Sequence, residues 1–494
     1  MSEKMLTRLY TVIVAILLTS ACASFPKNEK TTQLDFREGY RFNSISDKGN
    51  TDSLFVIVTF SGGGTRAAAL SYGVLEQLKN TQIRWEGKTK SLLSEVDVIS
   101  SVSGGSFTAA YYGLFREKAF LPRGNPDGFK DRMLYRNLQG DLFGQLFNPV
   151  NWLRLASPTF GRIDLASELY SDTIFDNQTY NDLKDTGRPF FMVNSTDMSK
   201  GVRFSFVQER FDYLCSDLGP FELGRAVAAS SDFPVAFTPL TLVGYGDACK
   251  YDMPKWMVQA NKDRFFSDNP RRWKWAQTTW EYRNKQNRHP YVHLLDGGIA
   301  DNIGLRGPLS AMESNDLPWS IPNKINNGKI EKLVVIVVDA KTQPESKIDR
   351  KANPPGVVKV LETIASVPME NFSLDTIERL RLAFYEWQRA RQSLWKNPGT
   401  VFTACPPPPD NRKPDDLKAL DLYAIYVGFD QIDDVATREK FLNMETSFAL
   451  PADQVDALIG IGPKIMNTPQ SRFPGSSTSG QPTSTFQKLV NCLQ

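Results

Sequence analysis

The sequence predicts an α/β fold of three layers, in which a mainly parallel central sheet is flanked by helices and carries an aromatic-basic insertion. Two observations support this prediction. Short apolar runs alternate along the chain with stretches whose apolar residues recur at helical spacing. The runs are apolar on both sides of the strand, which is typical of parallel strands that are buried on both faces. The composition agrees, because 41% hydrophobic and 23% charged residues are ordinary values for a globular protein.

The first two strands each lead into a helix through a glycine-rich turn. Leu54–Phe60 is followed by a predicted helix over 65–78, and Val96–Ile99 is followed by one over 106–115. Such alternation predicts a largely parallel sheet. A segment rich in helix formers follows much later, over 357–395. Two further strands are predicted at Phe190–Val193 and Leu333–Val338.

The first 21 residues predict a signal peptide of the bacterial lipoprotein type. Lys4 and Arg8 precede an apolar stretch, Val12–Leu18, which is shorter than the about 20 residues that cross a bilayer. Small residues then lead into Cys22. In the lipoproteins that this segment resembles, that cysteine is lipidated and becomes the mature N-terminus, and Ala23 after it favours the outer membrane. The alternative is an ordinary signal peptide with an incidental cysteine.

The rest of the chain divides by composition. Residues 22–51 are polar and are predicted to be a tether, 52–440 form the main domain, and 441–494 form a partly loose C-terminal extension. An insertion of about 252–290 interrupts the α/β pattern and holds four of the nine tryptophans among many Lys and Arg. It is either an interfacial patch or lid above the site, or a segment that packs on the body. Its tryptophans are Trp256, Trp273, Trp275 and Trp280.

Charge and cysteine content exclude several functional classes. The net charge of +3 and the absence of a long basic run give no reason to expect a nucleic-acid partner. No cysteine or histidine has the spacing of zinc ligands, and neither a metal nor another cofactor is expected. Four cysteines beyond Cys22 permit two disulfides with three possible connectivities in an exported chain. They are Cys215, Cys249, Cys405 and Cys492.

The segment Ser61–Arg66, with the sequence SGGGTR, joins the first strand to the first helix. Three glycines allow a sharp turn in which backbone N–H groups point into one concavity. The start of the following helix adds its positive end. Such a loop suits a phosphate or a developing oxyanion, although a glycine triplet by itself could equally be a tight turn.

The second strand-to-helix junction carries a candidate nucleophile, Ser103, in the sequence SVSGGS. A serine between a strand and a helix has the context of a nucleophile elbow, which needs small residues two positions to either side. Gly105 satisfies this requirement, and Ser101 replaces the usual glycine on the other side. Without further evidence, a serine beside glycines could also lie in a loop.

A candidate base, Asp296, follows the apolar segment 292–295 and precedes two glycines. A serine nucleophile needs a base, and the chain has only two histidines, His289 and His293. The alternation of side chains along a strand places His293 on the face opposite Asp296. A carboxylate that acts directly on the serine is therefore simpler than a triad, although an Asp-Gly-Gly segment can also be a turn.

In this order, SGGGTR, SVSGGS and DGG resemble the motifs of patatin-like phospholipases and the related cytosolic phospholipase A and phospholipase B enzymes. The resemblance covers roughly residues 54–340. Weaker similarity extends to Asn194–Asp197 and Ala228–Pro234. The resemblance implies that Gly62, Gly63 and Gly64 form the oxyanion hole, that Ser103 is the nucleophile with Asp296 as its only partner, and that Arg66 organises the loop.

The resemblance implies a lipid acyl hydrolase of the phospholipase A or lysophospholipase type, which works through an acyl-enzyme. Its expected partner is a lipid at a membrane surface, and its expected location is the bacterial cell envelope, as an outer-membrane lipoprotein facing the periplasm or the surface. A dry site should raise the pKa of Asp296. Two alternatives are an acyltransferase with the same site and a non-enzymatic lipoprotein scaffold.

Overall fold

The computed structural model describes residues 23–233, 236–262, 264–265, 270–284, 290–313, 319–326, 329–343, 352, 354–394, 421–469 and 484–494. The segment predicted to be a signal peptide and Cys22 lie outside these residues. The strands are β1 Glu29–Lys30, β2 Leu54–Phe60, β3 Gln82–Trp85, β4 Lys88–Ser91, β5 Val96–Val102, β6 Phe190–Asp197, β7 Val202–Phe206, β8 Ser216–Asp217, β9 Leu240–Val243, β10 Tyr291–Asp296, β11 Lys332–Asp339 and β12 Asp421–Gly428. The helices are α1 Gly64–Asn80, α2 Gly104–Phe115, α3 Leu138–Phe147, α4 Pro149–Leu155, α5 Arg162–Thr173, α6 Tyr180–Asp185, α7 Gln208–Asp212, α8 Leu223–Ser230, α9 Lys255–Ala260, α10 Pro270–Asn284, α11 Gly298–Asp301, α12 Arg306–Glu313, α13 Ile321–Asn326, α14 Val357–Leu394, α15 Val435–Leu442, α16 Ala452–Asn467 and α17 Thr485–Leu493.

The central sheet has eight strands in the described part of the chain, in the order β12-β11-β2-β5-β6-β10-β9, with β7 also paired to β6. The strands from β12 to β6 are parallel, and β7, β9 and β10 join antiparallel. Helices cover both faces: on β6, Phe191 packs against α2 at Gly113 and Met192 packs against α12 at Gly307. The predicted three-layer, mainly parallel fold is therefore confirmed.

One feature of the sheet brings two distant strand ends together. Strand β6 pairs with β5 up to Asn194, and β10 pairs with the same strand from Ser195 onward. Because β7 occupies the other edge of β6 over these residues, β5 and β10 must share one edge. The C-terminal ends of β5 and β10 therefore meet, and these are the ends that precede Ser103 and carry Asp296.

The predicted tether does not hang free from the domain, because residues 23–50 pack onto it. Strand β1 pairs with β8, and Tyr40 and Phe42 are buried in the core. Arg41 forms a buried ion pair with Asp212, with 2.8 Å between Nη2 and Oδ2. The prediction of a tether was based on polar composition, and it missed the few aromatic side chains that fix this segment.

The C-terminal extension is likewise part of the fold. Helix α16 packs on α1 so closely that a Cβ at Gly73 would lie 2.1 Å from the Ile459 carbonyl oxygen. Val455 and Leu458 on α16 are fully buried. Only residues 470–483 of the stretch expected to be loose lie outside the described residues.

The aromatic-basic insertion packs against the body in its described part. Trp256 stacks on Trp275 with ring centroids 4.4 Å apart, and the Arg210 guanidinium lies over the Trp275 ring. Tyr282 donates a 2.8 Å hydrogen bond to the Asp197 carboxylate at the end of β6. Of the two interpretations of this segment, the structure favours packing over an interfacial lid.

A disulfide joins Cys215 and Cys249, so one of the pairings that the sequence permits is formed. Cys492 is disulfide-bonded as well. Within the described ranges, no helix combines the length and the hydropathy of a membrane span.

Candidate active site

The turn between β5 and α2 holds Ser103 in an unusual backbone conformation. Its φ is +49° and its ψ is −122°, a region that non-glycine residues rarely occupy and that stores strain. The two glycines after it allow neighbouring segments to approach closely. A Cβ at Gly104 would lie 2.0 Å from the Gly64 carbonyl oxygen, and one at Gly105 would lie 2.6 Å from the Phe60 Cβ. The turn has the geometry of a nucleophile elbow.

Ser101 occupies the position at which a nucleophile elbow usually has glycine. It is fully buried, and its hydroxyl accepts a hydrogen bond from the Ser106 hydroxyl at 3.1 Å. A small side chain with a satisfied hydroxyl therefore replaces the glycine at this position.

Asp296 lies at the end of β10 and reaches Ser103. Its carboxylate lies near enough to the Ser103 side chain for that hydroxyl to lower its pKa, and its Oδ1 accepts a 2.7 Å hydrogen bond from the Gly298 N–H. Burial raises the pKa of Asp296 to about 6, and the Gly298 N–H and the Ser103 hydroxyl oppose that rise only in part. The side chain is thus a buried carboxylate with a pKa close to neutral.

The glycine loop lies against the elbow at the start of α1. Gly63 has a φ of +137° and Gly64 a φ of +58°, conformations that favour glycine. The Gly62 N–H donates to the Asn302 carbonyl at 2.9 Å. The N–H groups of Gly63 and Gly64 have no protein acceptor among the described residues, as expected at the start of a helix.

Comparison with protein-family models identifies one match, to the patatin-like phospholipase family, over residues 58–309. This range is slightly more than half of the 494-residue chain. The chain belongs to the patatin-like phospholipase family. The family implies lipid acyl hydrolase activity.

Solved structures similar to this patatin-like chain are distant in sequence. Human GIVD cytosolic phospholipase A2 in complex with methyl gamma-linolenyl fluorophosphonate is 13% identical, with a TM-score of 0.36 over 90% of this chain, which spans 59% of that protein. VipD from Legionella pneumophila is 12% identical, with a TM-score of 0.21, and the match covers 88% of this chain and 71% of that one. Comparison with curated protein sequences gives no match.

Two residues of the weakly similar stretches, Asn194 and Ser230, support the backbone of the elbow. The Ser103 N–H donates to the Ser230 hydroxyl at 2.8 Å. That hydroxyl in turn donates to the Asn194 carbonyl at 2.6 Å. Ser230 therefore fixes the backbone of the elbow. The sequence comparison had indicated the stretch that contains Ser230 but not the residue itself.

A second buried carboxyl, Asp232, lies beside the Asp296 backbone, because the Asp296 N–H donates to the Asp232 carbonyl at 2.9 Å. Burial raises the pKa of Asp232 well above its usual value, and the negative charge of Asp296 raises it further. Asp232 is thereby favoured in its neutral form. Sequence reasoning did not single it out, because its proximity to Asp296 depends on the pairing of distant segments.

Arg66 ties the glycine loop to two other parts of the patatin-like domain. Its guanidinium donates to the carbonyls of Ala340 and Met444, at 2.9 and 3.0 Å, and to the Thr446 hydroxyl at 3.0 Å. Ala340 follows strand β11, and residues 444–446 follow helix α15. The side chain is buried, so its contacts hold the start of α1 against the sheet.

The histidine near the site is not placed to act on Ser103. His293 is exposed, and its Nδ1 lies 3.1 Å from the Thr241 hydroxyl. Along β10, Val292, Leu294 and Asp296 are buried, whereas His293 lies on the opposite face. This placement confirms the alternation predicted from the sequence; His289 lies outside the described residues.

The patatin-like site thus combines a strained serine, a buried carboxylate and the starts of two helices. Gly64 and Gly104 are the first residues of α1 and α2 and lie in contact. A Cβ at Gly62 would lie 3.3 Å from the Ser103 Cβ, so the loop borders the serine. The N-termini of two helices carry partial positive charge, and where they meet beside a serine they stabilise a negative charge. No metal-binding cluster of three or more His, Cys, Asp or Glu occurs among the described residues.

Proposed function

We propose that the protein is a lipid acyl hydrolase of the phospholipase A or lysophospholipase type, with Ser103 as nucleophile and Asp296 as its base. The observation that carries the proposal is the strained Ser103 beside the buried Asp296, at the point where the ends of β5 and β10 meet. A carboxylate with a pKa near 6 accepts a proton more readily than an exposed one, whose pKa is about 3.9.

In the proposed reaction, the Ser103 Oγ attacks the ester carbonyl while Asp296 takes its proton. The N–H groups of Gly63 and Gly64 stabilise the oxyanion, at about 3 kcal/mol per donor. Gly62 gives its N–H to Asn302 and so acts by shaping the loop. The alcohol leaves with the proton from Asp296. Water then attacks the acyl-enzyme while Asp296 takes a proton from it, and Asp296 returns that proton to the Ser103 Oγ as the fatty acid is released.

The pH dependence of ester hydrolysis tests this proposal. Asp296 must be ionised to accept the proton, and its pKa in the folded protein is about 6. Activity should therefore be constant above pH 7, half-maximal near pH 6, and about tenfold lower for each further pH unit. We expect this profile for kcat/KM on a soluble short-chain ester, with circular dichroism to confirm that the protein stays folded at pH 5. Absence of hydrolysis contradicts the function, and a flat profile down to pH 5 contradicts the role of Asp296.

We also propose that Cys22 carries an acyl anchor that holds the protein on the outer membrane. In a bacterial host, Cys22→Ser should lack incorporated labelled fatty acid and should be recovered without detergent. The reason is that stable attachment needs more than one acyl chain, and a lipidated N-terminal cysteine supplies them. The wild-type chain, expressed in parallel, is the control. A Cys22→Ser protein that is still labelled and still in the membrane fraction would refute the anchor.

A further inference from the structure

Helices α3 and α4 form a hairpin with an unusually apolar exposed surface. Residues 142–153, which span most of it, contain no Asp, Glu, Lys or Arg. An exposed apolar patch of this kind marks an interaction site. Four large apolar side chains on the hairpin are more than half exposed. They are Phe143, Phe147, Val150 and Trp152.

The hairpin is stabilised by hydrogen bonds of its own polar groups. The Asn137 side chain caps α3 by accepting from the Gly140 N–H, and the Asn148 side chain caps α4 by accepting from the Val150 N–H. The Trp152 indole N–H donates to the Leu146 carbonyl at 2.5 Å, so its polar group is satisfied while its ring stays exposed. Internally satisfied polar groups suit an environment that is poor in water.

The base of the hairpin lies next to the glycine loop. The Ser447 hydroxyl donates to the Gln139 side chain at 2.8 Å, and the Ser447 carbonyl accepts from the Thr65 N–H at 2.9 Å. A Cβ at Gly64 would lie only 2.4 Å from that carbonyl oxygen. Ser447 thus connects the start of α3 directly to the candidate oxyanion donors.

The far end of the hairpin lies where the chain emerges from Cys22. The Ala23 carbonyl accepts a hydrogen bond from the Ser157 hydroxyl, and the Phe25 N–H donates to the Thr159 carbonyl at 2.9 Å. Helix α4 ends at Leu155, two residues before Ser157. Acyl chains on Cys22 would therefore enter a bilayer beside this hairpin.

From these contacts we infer that the α3–α4 hairpin inserts into the bilayer that holds the Cys22 anchor, and that it sets the active site against the same membrane. This inference rests on the proposed function and anchor. Aromatic and aliphatic side chains without nearby charge suit the boundary between headgroups and acyl chains. The hydrolase then takes its lipid from the leaflet in which it is anchored.

Helix α14 is the rival surface near the site. A Cβ at Gly298 would lie 3.3 Å from the Met369 sulfur on this helix. Ile364 and Leu374 on it are also more than half exposed. Acidic residues such as Glu370 and Asp375 lie between and beside them, in contrast to the uncharged hairpin. The pair Ile364 and Leu374 therefore provides a matched control.

Activity on two substrates tests the inference in a Cys22→Ser background, in which acyl chains do not mask the hairpin. Phe143→Ser/Phe147→Ser/Val150→Ser should lower hydrolysis of phosphatidylethanolamine–phosphatidylglycerol vesicles by about tenfold or more, because membrane binding scales with the apolar area inserted. Hydrolysis of a soluble short-chain ester should change by less than about twofold, since these side chains lie outside the site. Ile364→Ser/Leu374→Ser should leave both activities within the same limit. Equal loss on both substrates, or loss only in the α14 variant, overturns the inference.

A second measurement does not depend on catalysis. An environment-sensitive fluorophore on Phe147→Cys should shift to shorter wavelength when the same vesicles are added, and one on Leu374→Cys should not. The disulfide of Cys215 and Cys249 is kept oxidised during labelling. An unchanged spectrum at position 147 in an active enzyme refutes the inference and leaves the proposed function standing. A shift at that position in a protein that hydrolyses no ester supports the inference and refutes the proposed function.

Discussion

Ser103→Ala is expected to abolish hydrolysis of short-chain nitrophenyl esters while the protein stays folded. The loss should be about 10⁴-fold or more, because removal of a nucleophile leaves only binding and oxyanion stabilisation. Alanine keeps the Cβ in the strained turn and removes only the hydroxyl that contacts Asp296. Measurement of kcat/KM, with thermal unfolding of both proteins, gives the result. A fluorophosphonate probe should label the wild-type protein at Ser103 and leave the variant unlabelled.

Ser71→Ala is the matched control for this variant. Ser71 is a buried serine on α1 whose hydroxyl has no hydrogen-bond partner within the described residues. Loss of an unpaired hydroxyl should cost neither stability nor activity. A folded Ser103→Ala protein that retains most of its esterase activity would remove Ser103 from the mechanism.

Asp296→Asn is expected to lower kcat/KM by about 10² to 10⁴-fold, the range that general-base catalysis contributes. Asparagine has nearly the same shape, and its side-chain oxygen can still accept from the Gly298 N–H. It cannot take the Ser103 proton, so the fall in activity near pH 6 should vanish in whatever activity remains. The pH profile of the variant distinguishes loss of the base from loss of structure.

The histidine variants provide the contrast for Asp296→Asn. His293→Ala should keep activity within about twofold, because its ring is exposed on the opposite face of β10. The same result is expected for His289→Ala, on the sequence argument alone. If either variant is folded and as inactive as Asp296→Asn, a triad replaces the proposed dyad.

The parts of the fold that could be predicted from the sequence are those with a local signal. The run Leu54–Phe60 is strand β2 with the same limits, and the glycine loop and elbow follow their strands as predicted. Backbone strain at Ser103 and the need for glycine beside it arise within a few residues. Periodicity along β10 was also sufficient to separate His293 from Asp296.

The parts that could not be predicted depend on contacts between distant segments. Asn302 binds the Gly62 N–H, and Ser230 binds the Ser103 N–H, across more than a hundred residues each. Neither residue type has a local pattern that indicates such a role. The uncharged stretch 142–153 did carry a signal in its composition, but only the structure places it beside the site.

The contacts that hold the glycine loop bear on the order in which the site can form. Thr65 and Arg66, near the start of the domain, are bound by Ser447, Met444 and Thr446, near the end of the chain. The loop therefore lacks this support until residues 444–447 have been synthesised and have folded onto it. The candidate oxyanion donors are thus held in place only after the segment that follows helix α15 has been made.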